Sequence, residues 1–229
     1  SQIFDADGFE IAAHRMVEFI ASVKETHHYI AAELDLGGGM GVPYVDGDDP
    51  LDVAEMAQRL RDIVVRECDA AGIAVPRLSV EPGRAIVGPS TVTLYEVGVV
   101  KDVDVTDDFV RRYIAVDGGM SDNIRTALYD AEYTAALANR TSTSPAVPSR
   151  VVGKHCESGD IVVRDIDLPN DIGAGDILAV ATTGAYGRAM ASNYNNIPRP
   201  AVVAVRDGKA RLLIRRETYD DLLRLDADA

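Results

Sequence analysis

Two glycine-containing segments in the first part of the sequence combine the groups that bind a phosphate. Residues 34–36 lead into Gly37-Gly38-Gly39, and residues 77–80 lead into the EPGR segment at positions 81–84. Glycines at the end of a strand leave backbone N–H groups uncovered, so a phosphate can accept hydrogen bonds from them. Glu81 and Arg84 add one anion and one cation. A cofactor with a phosphate and a basic ring nitrogen would use all of these groups. The alternatives are a plain glycine turn and a salt bridge between Glu81 and Arg84.

A second pair of polar residues suits a carboxylate ligand. Arg125 and Tyr129 are four positions apart, which on a helical turn puts both tips on one side. A helix capped by Ser121 or Asp122 would provide that turn. The alternative is a stapled turn on the surface.

The segment HCESGD at positions 155–160 contains a thiol beside two acids. Cys156 is either a small buried hydrophobe or a proton donor. Its neighbours Glu157 and Asp160 favour the thiol over the thiolate, so proton donation fits better than nucleophilic attack. Glu157 could hold an ammonium group. His155 has no further ligand at metal-binding spacing, so we predict no metal site.

Tyr186 follows a predicted strand and precedes a predicted helix. Its ring can pack while its hydroxyl contacts a polar ligand. The segment at residues 193–196, with sequence NYNN, is expected to line the opening of the same ligand site as Tyr186.

The elements that position these residues change character near residue 88. Before it, helices alternate with strands, and the first helix has an apolar face at three- and four-residue steps that includes Met16. Asp49 and Pro50 predict the start of the second helix, and Gly72 predicts its end. After it, the segments are short and β-rich, with Asp207-Gly208 as a hairpin turn. We therefore predict α/β structure over residues 1–88 and a β-sandwich or barrel-like domain over residues 89–229.

Composition narrows the class of protein. The 229 residues carry a net charge of −14, which argues against a nucleic-acid partner. No apolar run reaches the ~20 residues that span a bilayer, so no membrane partner is expected. Cys68 and Cys156 give no disulfide framework. Cys68 belongs to an apolar helical face and is expected in the core. A reducing, cytoplasmic location fits these features.

Taken in order, the segments LDLGGG, EPGRAIVGPS, VDGGMSDNIRTALY, HCESGD and GAY resemble the alanine-racemase-like, fold-type III family of pyridoxal-phosphate-dependent decarboxylases. The resemblance covers essentially the whole chain and is strongest to members that act on meso-diaminopimelate. It implies a pyridoxal 5'-phosphate cofactor, conversion of meso-2,6-diaminopimelate to L-lysine, and a homodimer with shared active sites. It also implies that residues 1–88 are the C-terminal part of a (β/α)8 TIM-like barrel.

The same resemblance assigns roles to individual residues. Gly39 and the backbone of Glu81, Pro82, Gly83 and Arg84 would contact the cofactor phosphate, and Ser1 matches a nearby serine. The Glu81 carboxylate would pair with the pyridine nitrogen, and Cys156 would protonate the substrate carbon from the partner subunit. Tyr186 would contact both cofactor and substrate. The other expected substrate contacts are Arg84, Arg125, Tyr129 and Glu157.

The sequence departs from the family pattern at its front, where the family also has a His-Ile-Gly segment that this sequence does not show. The family's Schiff-base lysine has no counterpart, because none of Lys24, Lys101, Lys154 and Lys209 has a matching context. We therefore expect the second half of an enzyme, inactive alone. The alternatives are a decarboxylase of arginine, ornithine or a carboxylated polyamine, and a non-catalytic regulatory homologue. Arg125 and Tyr129 favour a substrate with a second carboxylate. Retention of Glu81, Cys156 and Tyr186 disfavours the regulatory homologue.

Overall fold

The computed structural model describes residues 2–50 and 52–227, and the chain forms two compact units, Ser1–Ser90 and Thr91–Ala229. Each unit has its own secondary structure. The position of Ser1, a predicted neighbour of the phosphate, lies outside the described residues.

The first unit alternates helices with short parallel strands. Its elements are α1 (Asp7–His27), β1 (Glu33–Asp35), α2 (Val53–Ala71), β2 (Arg77–Ser79) and α3 (Gly83–Val87). Strands β1 and β2 pair in parallel, with Leu34 opposite Leu78. The core is formed by one face of each long helix against β1, with the side chains Phe9, Ala13, Val17, Ile20, Leu34, Met56, Leu60, Ile63, Val64 and Cys68. The prediction that Cys68 is a core residue is confirmed.

The boundaries of α2 were predicted correctly at one end only. The helix ends at Gly72, which has φ +64° and caps it as expected. It begins at Val53 rather than at Pro50. The Asp52 carboxylate accepts hydrogen bonds from the N–H groups of Ala54 and Glu55 at 2.8 and 3.3 Å, so Asp52 is the N-cap instead of Asp49.

The buried face of α1 differs slightly from the predicted one. Val17 is buried, whereas Met16 is 40% exposed. A helix turns by 100° per residue, so the two positions border the same stripe and periodicity alone separates them poorly.

The second unit is built on one curled sheet. Its strands are β3 (Thr93–Thr106), β4 (Phe109–Val116), β5 (Ala135–Leu137), β6 (Ala146–Val152), β7 (Ile161–Pro169) and β8 (Ile177–Val180). They pair in the order β5-β8-β3-β4-β6-β7, and all neighbours are antiparallel except β4 and β6. The edge strands β5 and β7 contact each other, so the sheet is nearly closed. Of the two arrangements expected for the β domain, the structure has the barrel-like one.

Two short helices of this unit contain or directly follow predicted site residues. They are α4 (Arg125–Tyr129) and α5 (Gly187–Met190). A separate hairpin follows, with β9 (Val202–Arg206) and β10 (Lys209–Ile214) joined by the predicted turn. Asp207 and Gly208 have φ +51° and +71°, the positive values that such a two-residue turn requires. The chain then forms α6 (Tyr219–Leu223). No helix in the described ranges is long and apolar enough to cross a membrane.

Candidate functional site

The two glycine-containing segments of the first unit lie side by side. Each follows one strand of the parallel pair, and parallel strands place their carboxyl ends at the same edge. The Glu81 N–H donates to the Gly37 carbonyl at 2.7 Å. A Cβ added at Gly38 would stand 2.2 Å from the Glu81 carbonyl oxygen, so glycine is required for this approach. The structure therefore places the two segments that sequence analysis singled out for phosphate binding in contact with each other.

The cluster exposes bare backbone beside these contacts. A Cβ added at Gly37 or Gly83 would meet no atom within 4 Å. Gly39 adopts φ +101°, and Pro82 directly precedes α3. The open space next to glycine backbone is the kind of cradle that a phosphate fills. The residues present therefore fit a phosphate-bearing cofactor.

Glu81 and Arg84 do not form the salt bridge that was the alternative interpretation. The Arg84 guanidinium donates to Gln2 Oε1 at 2.7 Å and lies over the Tyr44 ring, 5.8 Å from its centroid. The Glu81 side chain is exposed and forms no ion pair with any residue in the ranges 2–50 and 52–227. Its carboxylate is therefore available to a positively charged group.

In the second unit, Arg125 is held between two tyrosine rings. Its side chain is 7% exposed, and one guanidinium N–H donates to the Tyr133 hydroxyl at 2.6 Å. Its Cζ atom lies 5.6 Å from the ring centroids of both Tyr133 and Tyr186. Such cation–π contacts fix the plane of the guanidinium as well as its position. Tyr133 was missed by sequence reasoning because no local pattern links it to Arg125.

Arg125 and Tyr129 lie at opposite ends of α4, and their environments differ. Tyr129 is 62% exposed, whereas Arg125 is buried. The prediction that Ser121 or Asp122 caps this helix is wrong: the N-cap is Ile124, which makes no side-chain cap bond. The nearest substitute is the Asn123 side-chain oxygen, which accepts from the Arg125 N–H at 3.3 Å. A helix of one turn gains little from a cap, which explains why the cap signal was misleading.

The backbone at Tyr186 is strained. This residue directly precedes α5 and has φ +63°, and Thr182 in the same connection has φ +57°. Left-handed backbone is rare for side chains of these kinds and costs about 1–3 kcal/mol where it occurs. The conformation brings the half-exposed Tyr186 ring next to Arg125.

Cys156 and Glu157 lie on the connection between β6 and β7, whose shape depends on a buried acid. The Asp160 side chain is 3% exposed. One carboxylate oxygen accepts from the Met120 N–H at 2.6 Å, and the other accepts from the His155 N–H at 2.7 Å. Asp160 therefore holds two loops together rather than acting on the Cys156 thiol, and Glu157 is the acid that stays exposed beside that thiol.

Two glycines make room for this carboxylate. A Cβ at Gly119 would stand 2.6 Å from an Asp160 oxygen, and one at Gly153 would stand 2.2 Å away. Both separations are shorter than real Cβ contacts, so the pocket around Asp160 is specific for glycine at these positions.

The segment at residues 193–196 packs on the same loop, through contacts with His155 and Glu157. The Tyr194 hydroxyl donates to the Glu157 carboxylate. The Tyr194 and His155 rings are stacked with centroids 5.3 Å apart, and His155 Nε2 hydrogen-bonds with Ser121 Oγ at 2.9 Å. Cys156, between these two contact residues, is exposed.

Comparison with known proteins gives matches that cover most or all of the chain. The model for the pyridoxal-dependent decarboxylase C-terminal sheet domain matches residues 19–184. The diaminopimelate decarboxylase of Mycobacterium tuberculosis is 58% identical over 231 residues, which covers 99% of this chain and 52% of that protein. The chain thus spans about half the length of the curated relatives it matches.

Solved structures resemble the chain over almost all of its length. The diaminopimelate decarboxylase of M. jannaschii in co-complex with L-lysine has a TM-score of 0.89 at 30% identity, covering 100% of this chain and 50% of that one. The lysine/ornithine decarboxylase of Vibrio vulnificus complexed with cadaverine has a TM-score of 0.69 at 23% identity, covering 87% and 51%. The second likeness shows a common fold alone.

Proposed function

Because this chain belongs to the family of pyridoxal-dependent decarboxylases, we propose that it is the C-terminal half of a diaminopimelate decarboxylase. The whole enzyme would remove CO2 from meso-2,6-diaminopimelate and release L-lysine. Residues 1–88 would be the last βα units of a (β/α)8 barrel, and residues 89–229 the C-terminal β domain. The close relatives that carry this name support the proposal.

The observation that carries the choice of substrate is the buried guanidinium of Arg125. It is held by Tyr133 and Tyr186, so it offers a fixed cation with a preferred plane. A guanidinium in this state matches a carboxylate through two parallel hydrogen bonds. A diamine precursor such as ornithine has no carboxylate at its far end, whereas meso-diaminopimelate has one. This difference favours diaminopimelate over the polyamine-type alternative.

The cofactor would be pyridoxal 5'-phosphate. Gly39 and the backbone of Pro82, Gly83 and Arg84 would hold its phosphate, and Tyr186 would contact it as well. The Glu81 carboxylate, which has no partner cation among the described residues, would keep the pyridine nitrogen protonated. When bound, the cofactor withdraws electrons from the carbon that loses CO2.

The remaining residues would act on the substrate. Arg84, Arg125, Tyr129 and Tyr186 would orient it, and Glu157 would bind the ammonium group at its far end. The Cys156 thiol would return a proton to the carbon that lost CO2. Its exposure on the β6–β7 loop suits a role in the site of a second subunit, so we propose a homodimer with shared sites. The two unpaired cysteines support a cytoplasmic location.

The test is a substrate comparison in the full-length protein loaded with the cofactor. CO2 release is measured with meso-diaminopimelate, L-ornithine, L-arginine and L-lysine at equal concentrations. We expect the specificity constant for meso-diaminopimelate to exceed those of the others by at least about a hundredfold, because a substrate without a distal carboxylate cannot make the charged hydrogen bonds that a bound diaminopimelate would make. A preference for ornithine or arginine would favour the polyamine-type alternative. Absence of turnover with every substrate would favour the regulatory homologue.

A further inference from the structure

Tyr194 makes two distinct contacts with the loop that carries Cys156 and Glu157. Its ring stacks on His155 with centroids 5.3 Å apart, and its hydroxyl donates to the Glu157 carboxylate. The hydrogen bond raises the pKa of the Tyr194 hydroxyl above its ordinary value. The hydroxyl therefore keeps its proton at neutral pH and stays the donor.

Tyr194 is itself fixed on both sides. His155, beneath its ring, is buried and hydrogen-bonds with Ser121 at 2.9 Å. The preceding Asn193 amide donates to the Ile197 carbonyl at 3.1 Å and to Glu217 at 2.7 Å. These contacts hold the ring of Tyr194, which is 41% exposed, and the chain that precedes it, and so restrict where the hydroxyl can lie.

Glu157, in contrast, lies on an exposed loop. A glutamate side chain at such a place has several rotamers, and holding it in one of them costs conformational entropy. The hydrogen bond from Tyr194 engages Oε1, which leaves Oε2 available to a second donor. A carboxylate held by one oxygen in advance binds a ligand cation with less loss of entropy.

We propose that Tyr194 is a positioning residue that orients Glu157 toward the ammonium group at the far end of the substrate. This inference rests on the proposed function, because it takes the substrate to be meso-diaminopimelate. Tyr194 acts through Glu157 and need not contact the substrate. The alternative is that Tyr194 only packs on His155.

Tyr194→Phe separates the two roles. It keeps the ring on His155 and removes only the hydroxyl, whereas Tyr194→Ala removes both. Tyr219→Phe is the matched control, because Tyr219 is 70% exposed on α6 and belongs to none of the site segments. Thermal unfolding of each variant reports whether the packing is intact.

The first measurement is calorimetric binding of a ligand pair to the full-length, cofactor-loaded protein. L-Lysine carries an ammonium and a carboxylate on its α-carbon, and 6-aminohexanoate lacks that ammonium. Loss of a hydrogen bond to a charged group is expected to weaken L-lysine binding by about five- to tenfold in Tyr194→Phe. Binding of 6-aminohexanoate is expected to change less than about twofold, and Tyr219→Phe is expected to change neither.

The second measurement is turnover of meso-diaminopimelate. Tyr194→Phe is expected to raise KM about five- to tenfold and leave kcat within about threefold, because the lost interaction is one of binding. The double variant Tyr194→Phe/Glu157→Gln should be no worse than Glu157→Gln alone, since the hydroxyl acts through that carboxylate.

Equal losses for both ligands, unchanged L-lysine binding or additive effects in the double variant would overturn the positioning role while leaving the decarboxylase function intact. A wild-type protein that neither binds L-lysine nor turns over meso-diaminopimelate would overturn the proposed function and this inference with it.

Discussion

The most direct test of the site's architecture is Asp160→Asn. In the wild type, each carboxylate oxygen accepts one backbone N–H, from Met120 at 2.6 Å and from His155 at 2.7 Å. The amide of asparagine has the same shape but only one oxygen. Its NH2 group must face one of the two backbone N–H groups. At that position two donors oppose each other, and the original hydrogen bond is lost.

The cost follows from these two bonds. A hydrogen bond to a charged group contributes about 1.5–3 kcal/mol, and a neutral one about 0.5–1.5 kcal/mol. Asp160→Asn weakens one bond to the neutral kind and leaves the other N–H buried without an acceptor. We therefore expect the free energy of unfolding to fall by about 2–4 kcal/mol. For a unit of this size, each kcal/mol lowers Tm by about 3 °C, so the expected loss is roughly 6–12 °C.

The assay is urea unfolding followed by circular dichroism, with differential scanning calorimetry for Tm. Asp108→Asn is the matched control, because Asp108 is exposed in the turn between β3 and β4, where a change within about 0.5 kcal/mol is expected. A loss below about 1 kcal/mol for Asp160→Asn would refute the reasoning, since it would mean that the two N–H groups find other acceptors at no cost.

Three further predictions concern catalysis, substrate choice and acid stability. Cys156→Ala in the full-length enzyme should lower kcat by about 10²–10⁴-fold, the usual contribution of a proton donor, with the Kd of L-lysine little changed; near-normal turnover would argue that this thiol has no catalytic role. Arg125→Ala should narrow the ratio of specificity constants for meso-diaminopimelate and lysine by at least about tenfold, because truncating one partner of a buried charge pair commonly costs about 2–5 kcal/mol; an unchanged ratio would mean that Arg125 does not bind the distal carboxylate. The hydrogen bond from the Arg199 N–H, followed by those from nearby side chains, lowers the pKa of Glu217 from 4.5 to about 2. This carboxylate therefore stabilises the fold fully above about pH 5, and progressively less as pH falls toward 2. The difference in urea midpoint between wild type and Glu217→Gln should therefore shrink from pH 6 to pH 3, and a constant difference would contradict the assignment.

Local sequence signals were sufficient for the parts of the fold that depend on neighbours along the chain. The Gly72 helix end and the turn at Asp207 and Gly208 are set by backbone conformations that few residues adopt. Two strands that end in glycine-containing segments pointed to residues 37–39 and 81–84, and the structure brings these segments into contact at Gly38. Cys68 was assigned to the core from its place in a helical period.

The contacts that complete the site could not be predicted in this way. Tyr133 meets Arg125, and Tyr194 meets Glu157, because the curled sheet and its loops bring distant segments together. The positive φ of Tyr186 is imposed by its surroundings, since the residue type disfavours it. The start of α2 was misplaced because Asp49 and Asp52 offer equivalent cap signals, and only the hydrogen bonds that the Asp52 carboxylate accepts distinguish it as the N-cap.

The two hydrogen bonds that the Asp160 carboxylate accepts have a consequence for how the sequence of this protein can evolve. They are made to backbone N–H groups, so the path of the β6–β7 loop is independent of the side chains at positions 156 and 157. Substitutions at these two positions can therefore change the functional groups on the loop while its backbone conformation stays the same. Directed evolution toward substrates with a different far end should accordingly find tolerated variation at position 157, and almost none at Gly119, Gly153 or Asp160.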